Sequence, residues 1–188
     1  ICYVSSSRAD YGIVSCLLKH LEKSSDIDLQ LIATGSHLSK RFGYTINEIL
    51  NDGLEVHKKI DLGIEDDSDL SISKYMGKAI FKLTNAFKTL QPDGILILGD
   101  RYEILSVAIA SQICNLPLFH IHGGETTEGA FDESFRHAIT KMSYWHFVSH
   151  ETHKKRVIQL GEDPKRVFNV GGLGVDSIKK TTLLSKKE

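Results

Sequence analysis

Between Phe119 and Ala138 the sequence gathers three histidines (His120, His122, His137), four acids (Glu125, Glu128, Asp132, Glu133) and Arg136. Three chemistries suit such a set. His120 and His122 are two apart, so on a strand they share a face, as H-x-H metal ligands do. One such pair is a weak signal, and His120 sits in an apolar run where a core histidine is equally natural. The second reading is an acid/base centre. Asp132 and Arg136 are four apart, as are Glu133 and His137, so each pair shares a helix face. If that helix opens on a cleft, carboxylates and cations converge as they do around an anionic substrate undergoing proton transfer. In the third reading, Asp132 merely caps a helix at the end of a polar loop. Gly123 and Gly124 would let a ligand approach the backbone closely.

Two other segments carry comparable groups. Ser5, Ser6 and Ser7 lead into Arg8, Asp10 and Tyr11. A serine-rich turn opening a helix can offer backbone N–H groups to an anion, with Arg8 adding charge. Neither the G-x-G-x-x-G nor the Walker pattern is present. The plainer alternative is a serine cap with Arg8 at the surface. Asp100 and Arg101 follow the apolar run 94–99. Asp100 either meets a cleft, with Arg101 holding a phosphate or fixing the carboxylate, or caps a helix starting at Tyr102. His37 stands in a polar stretch after a second strand-like run.

These groups need elements to hold them, and the hydrophobic pattern supplies a regular set. It predicts strands at 1–5, 28–34, 54–60, 94–99, 116–122, 144–149 and 166–171. It predicts helices at 11–24, 44–52, 72–90, 102–114, 132–142 and 151–161, then a final short helix. Ser71 or Ser73 is expected to cap the 72–90 helix, and Pro92 to end it. Alternating strands and helices with short links imply an α/β fold, a Rossmann-like parallel sheet with helices on both faces. In such sheets ligands bind at the carboxyl ends of the strands, where the polar segments above all fall. Trp145 and Phe147 are expected in the core, His150 and His153 at the surface, and residues 154–156 on a solvated helix face.

The 188 residues suffice for one domain with a sizeable core. With 23 basic and 24 acidic residues, charge gives no reason to expect a nucleic-acid or anionic-membrane partner. No apolar run is long enough for a membrane-spanning helix. Three cysteines, with no C-x-x-C pair, are expected as free thiols in a reducing cytoplasm. No secretory signal is read, and a start on Ile rather than Met is expected to reflect trimming.

Taken in order, "SRADYG" (7–12), "TGSHL" (34–38), "GDRYE" (99–103), "HIHGGETTEGAFDESFRHAITK" (120–141) and "VGGLGVDS" (170–177) resemble the UDP-N-acetylglucosamine 2-epimerase family. Within it they are similar to the hydrolysing branch that feeds sialic-acid-type sugar synthesis. The resemblance implies a GT-B architecture of two Rossmann-like domains with the site between them. Residues 1–174 would be the N-terminal domain and 175–188 the start of a linker to a missing C-terminal domain. The implied substrate is a UDP-sugar, with no cofactor and no metal. UDP leaves C1, a base takes the C2 proton, and water adds to the resulting glycal, releasing N-acetylmannosamine.

The resemblance puts catalytic carboxylates on Asp100 and Asp132. It puts substrate contacts on Arg8, Asp10, His37, Arg101, Arg136 and His137. Where many members carry a catalytic Glu in "H-x-E-G-G", this chain has His122, so His122 or Glu125 takes that role. The His form also occurs in relatives acting on 2,4-diacetamido-trideoxy sugars for legionaminic acid. A GT-B glycosyltransferase and a non-catalytic sugar-nucleotide sensor are the alternatives. A homo-oligomer could use the 72–90 helix, whose stripe is more simply explained as packing on the sheet.

Overall fold

The computed structural model describes residues 1–129 and 131–180. Seven strands form one parallel sheet: β1 (Cys2–Ser5), β2 (Gln30–Thr34), β3 (Lys58–Ile60), β4 (Ile95–Leu98), β5 (Leu118–Ile121), β6 (Trp145–Val148) and β7 (Val167–Asn169). Their order is β3-β2-β1-β4-β5-β6-β7. The helices are α1 (Arg8–Glu22), α2 (Ile46–Asn51), α3 (Asp69–Leu90), α4 (Tyr102–Ile113), α5 (Asp132–Met142), α6 (Glu151–Gln159) and α7 (Leu173–Lys180).

The pleat sends successive residues to opposite cores. Cys2, Val4, Ile95 and Ile97 pack with Tyr75, Leu83 and Phe87 of α3 and with α4. Tyr3, Leu31, Leu96 and Leu98 pack with Val14 and Leu18 of α1 and Ile46 and Ile49 of α2. Helices therefore cover both faces. Each buried aliphatic side chain contributes ~1.5–3 kcal/mol. α4 is buried on nearly every side because it lies between α3 and α5, which is why it lacks an amphipathic pattern.

Local chemistry moves several expected boundaries. Asp66 accepts from the Ser68 N–H and from the hydroxyls of Ser68 and Ser71. This turn makes Ser68 the cap of α3, not Ser71 or Ser73, and the helix starts at Asp69. Gln91, in the left-handed region, ends it before Pro92. β3 is an edge strand and keeps only the last part of the expected run.

The largest departure is β6. His146 points inward and is fully buried, while Trp145 and Phe147 are half-exposed and stack on Phe168. Burial of the histidine is tolerated because Glu162 meets its Nε2 at 3.1 Å, and Lys141 meets Glu162 at 2.6 Å. The aromatics instead line an open apolar groove of about 390 Å³ with Leu17, Leu21, Phe119 and Leu173. α7 packs on α1, so the expected boundary at 174 falls inside a helix. Residues 181–188 of the expected linker lie outside the described residues. The three cysteines are free thiols, and no helix among the described residues is long and apolar enough to cross a membrane.

β1 and β4 are neighbours whose chains leave in opposite directions, β1 toward β2 and β4 toward β5. A crevice opens where such connections part, outside the carboxyl ends of these two strands.

Candidate active site

One wall of the crevice is the loop after β1. Ser7 caps α1 by accepting from the Asp10 N–H, as the plainer sequence reading has it. Ser6 and Ser7 then donate to Asp10 Oδ2 at 3.1 and 2.7 Å. Burial raises the Asp10 pKa; the two serines oppose that shift, and nearby Asp100 adds to it. The loop after β2 is clamped to this wall. Gly35 sits at φ +60°, and a Cβ there would lie 2.5 Å from the Ser6 carbonyl. His37 is fully buried between Ser5 Oγ and Thr45 Oγ1, both at 2.9 Å, and burial lowers its pKa. Arg8 does not join the cluster: its side chain is 72% exposed and pairs with Glu48 at 2.9 Å.

The facing wall follows β4. Asp100 pairs with the buried Arg136 of α5, which also meets Glu133 at 2.8 Å and Thr127 Oγ1 at 2.9 Å. Glu133 holds His137 as well, at 3.1 Å. Asp100 thus spends its charge on Arg136 rather than capping α4, whose cap position is Arg101. Arg101 pairs bidentately with Glu103 at 3.1 and 3.2 Å. Glu103 is only 1% exposed, and burial raises its pKa against the opposing pull of Arg101. Sequence reasoning passed over Glu103; its signal was a lone carboxylate in the first turn of an otherwise apolar helix.

Asp132 opens α5, but the cap position is Phe131 and no side chain caps the helix. Its carboxylate is therefore not consumed as an N-cap. Burial and then the Asp100 charge raise its pKa, with Arg101 and Arg136 opposing. A cavity of about 370 Å³ adjoins this wall, lined among others by Arg101, Glu103, Phe131 and Asp132 together with Ser36, Phe42 and Ile72.

The two histidines of H-x-H part company. β5 ends at Ile121, and His122 leaves it at φ +67°, so the two-residue period breaks between them. His120 is fully buried. Its Nε2 bonds the Gly99 carbonyl at 2.9 Å and Nδ1 lies 3.3 Å from Thr140 Oγ1. Burial pushes its pKa down to about 3, so the ring is neutral and Nε2 is the donor to Gly99. His122 Nδ1 faces Glu125 Oε1 at 3.5 Å. Burial lowers the His122 pKa, the Glu125 charge opposes that, and His153 and Arg136 add to the lowering. His153, expected at the surface, is half-buried: its Nδ1 lies 2.9 Å from Ser149 Oγ, which donates to Glu125 at 2.6 Å. His150 is exposed and caps α6.

Asp10, Asp100 and Asp132 thus meet Arg101 and Arg136 at one crevice, with a neutral-leaning imidazole and Glu125 on the adjoining loop. Burial gives Asp10 and Asp132 a raised affinity for protons, which suits proton exchange with a substrate, and the guanidinium groups can meet an anion.

A sequence model described as UDP-N-acetylglucosamine 2-epimerase matches residues 19–188. The GDP/UDP-N,N'-diacetylbacillosamine 2-epimerase (hydrolyzing) of Campylobacter jejuni is 47% identical over all of this chain and 49% of its own length. The UDP-N,N'-diacetylbacillosamine 2-epimerase (hydrolyzing) of Legionella pneumophila is 42% identical over 95% of this chain and 47% of its own. The chain therefore spans about half the length of the curated relatives it matches. The UDP-GlcNAc 2-epimerase of Neisseria meningitidis, solved with UDP-GlcNAc bound, shares the fold. Its TM-score is 0.81 at 20% identity, over 95% of this chain and 48% of that one.

Proposed function

Because the chain belongs to the UDP-N-acetylglucosamine 2-epimerase family, we propose that it forms the acid/base half of a hydrolysing 2-epimerase acting on a UDP-linked 2-acetamido sugar. The observation that carries this reading is the convergence of Asp100 and Asp132 with Arg136 and Arg101 at the sheet's switch point.

The C2 proton of such a sugar is not alpha to a carbonyl. It becomes acidic only as the C1–O bond breaks and positive charge builds at C1. Arg101, 40% exposed and steadied by Glu103, is suited to the departing diphosphate. Asp100 and Asp132 are suited to the oxocarbenium-like ring. The C1–O electron pair leaves with UDP, and the C2 proton passes to a base, His122 or one of the carboxylates. The C1–C2 double bond of a glycal remains. Water oxygen then adds to C1 and a proton to C2 from the opposite face, inverting that centre. Arg136 holds Asp100; Asp10 and His137 support the cluster through Ser6, Ser7 and Glu133; His37 and Arg8 stand behind and outside it.

The resemblance to the family implies UDP-N-acetylglucosamine as substrate and N-acetylmannosamine as product, on a sialic-acid-type route in the cytoplasm. A second sugar, a UDP-linked 2,4-diacetamido-trideoxy sugar, is favoured by the names of the relatives at 47% and 42% identity. The test is to incubate the full-length protein with each nucleotide sugar and identify the free sugar by mass and by C2 stereochemistry. A new glycoside would make it a transferase. Unaltered ligand binding without turnover, in wild type and in Asp100→Asn and Asp132→Asn alike, would make it a sensor.

A further inference from the structure

We propose that Ser149 and His153, at the corner between β6 and α6, are positioning residues that fix Glu125 against His122 and so decide which ring nitrogen of His122 carries the proton. This rests on the acid/base reading above. The loop they act on is strained: His122 is a non-glycine residue at φ +67°. It stays there because the corner grips it along its length. The His122 N–H donates to the Phe147 carbonyl at 2.9 Å, and Arg156 donates to the Gly124 carbonyl. Gly124 packs so closely on α6 that a Cβ would lie 2.5 Å from the His153 carbonyl oxygen.

Proton bookkeeping then fixes the network. Ser149 has one hydrogen, and Glu125 Oε1, at 2.6 Å, can only accept. The serine hydrogen therefore points to Glu125, and its oxygen accepts from His153 Nδ1 at 2.9 Å. Glu125 Oε1, so anchored, faces His122 Nδ1 at 3.5 Å and His153 Nδ1 at 4.0 Å. A carboxylate there favours the tautomer with the proton on Nδ1. The lone pair is left on Nε2, which is buried and has no hydrogen-bond partner among the described residues. That is the tautomer a base acting through Nε2 needs, and proton abstraction there also requires the ring to turn so that the buried nitrogen meets the substrate. The charged and titratable groups acting on His122 are Glu125, His153 and Arg136, and of these only Glu125 favours its protonation.

The experiment uses the full-length protein as wild type, Ser149→Ala, Ser149→Thr, His153→Ala and His153→Asn, whose amide can replace the Nδ1 donor. Nitrogen-15 NMR of the histidines reads the His122 tautomer, and UDP release is followed against pH. Wild type should hold the proton on Nδ1. Both alanine variants should mix the tautomers and lower kcat at least about tenfold with little change in KM, and Ser149→Ala, which leaves His153 in place, should also move the acid limb of the profile to lower pH. The threonine and asparagine variants should recover toward wild type. A wild-type tautomer retained in both alanine variants, or no recovery in the conservative pair, overturns the proposal. Absence of UDP release by wild type would instead overturn the functional reading, while the tautomer measurement still decides this one.

Discussion

Asp132 and Asp100 are neighbouring carboxylates with opposite thermodynamic roles. The Asp132 pKa is raised by burial and by the Asp100 charge. A raised folded-state value means its contribution is full below the ordinary 3.8 and is lost as pH rises through the folded value. Asp132→Asn should therefore raise the melting temperature at pH 7, with the gain vanishing below about pH 4, while UDP release falls at least about 100-fold. Asp100 is the partner of a buried guanidinium, so Asp100→Asn should cost on the order of 2–3 kcal/mol in urea unfolding, softened by the remaining Glu133 contact. Opposite stability changes with shared loss of turnover would mark both as site groups. His120 gives a pH prediction. Its folded pKa, about 3, lies below the ordinary 6.5, so its contribution is present above 6.5 and lost as pH falls toward 3. In that window His120→Gln should reduce the pH slope of unfolding free energy by up to ~1.4 kcal/mol per unit.

The elements position these residues through a few close approaches that side-chain pattern does not reveal. At Gly124, φ is +77° and a Cβ would meet both the His153 carbonyl and Val157. Gly124→Ala should destabilise the fold by ~2–3 kcal/mol and lift α6 from the loop that bears His122. Gly77, on an exposed turn of α3 with nothing within 4 Å of a Cβ, is the control. Gly77→Ala should stabilise by ~1 kcal/mol, both read by urea midpoint. The contrast explains what the sequence made legible. Strand and helix existence followed from apolar period, as in the stripe of Tyr75, Ala79, Leu83 and Phe87 on α3. Strand-end placement brought Asp10, Asp100, Asp132 and Arg136 to one crevice in advance. What escaped depends on partners distant in sequence. Glu103 draws no notice in the sequence until Arg101 folds onto it, and nothing in the sequence marks His146 for burial until Glu162 arrives beside it. His153 reads as a surface residue until the strained turn at His122 carries Glu125 to Ser149.

At the scale of the molecule, and on the two-domain reading implied by the resemblance, the described residues build one side of a larger cleft. Arg101 is 40% exposed, and the cavity beside Asp132 is partly open. Transition-state charge is stabilised strongly only where water is excluded, and an open wall leaves these groups solvated. Residues 1–188 alone should therefore release no measurable UDP, although the sheet has buried cores on both faces and should fold by itself. Trp145, the only tryptophan, reports on β6 near one edge of the sheet, while circular dichroism reports on all helices. Coincident thermal transitions by the two probes would establish that the half is one cooperative unit. Inactivity would then belong to the missing wall and not to a loosened fold. Adding the remainder of the full-length protein as a separate chain should restore UDP release, with a rate that saturates as its concentration rises. Turnover by residues 1–188 on their own would show that Asp100, Asp132 and His122 need no second wall, and would overturn the two-domain reading.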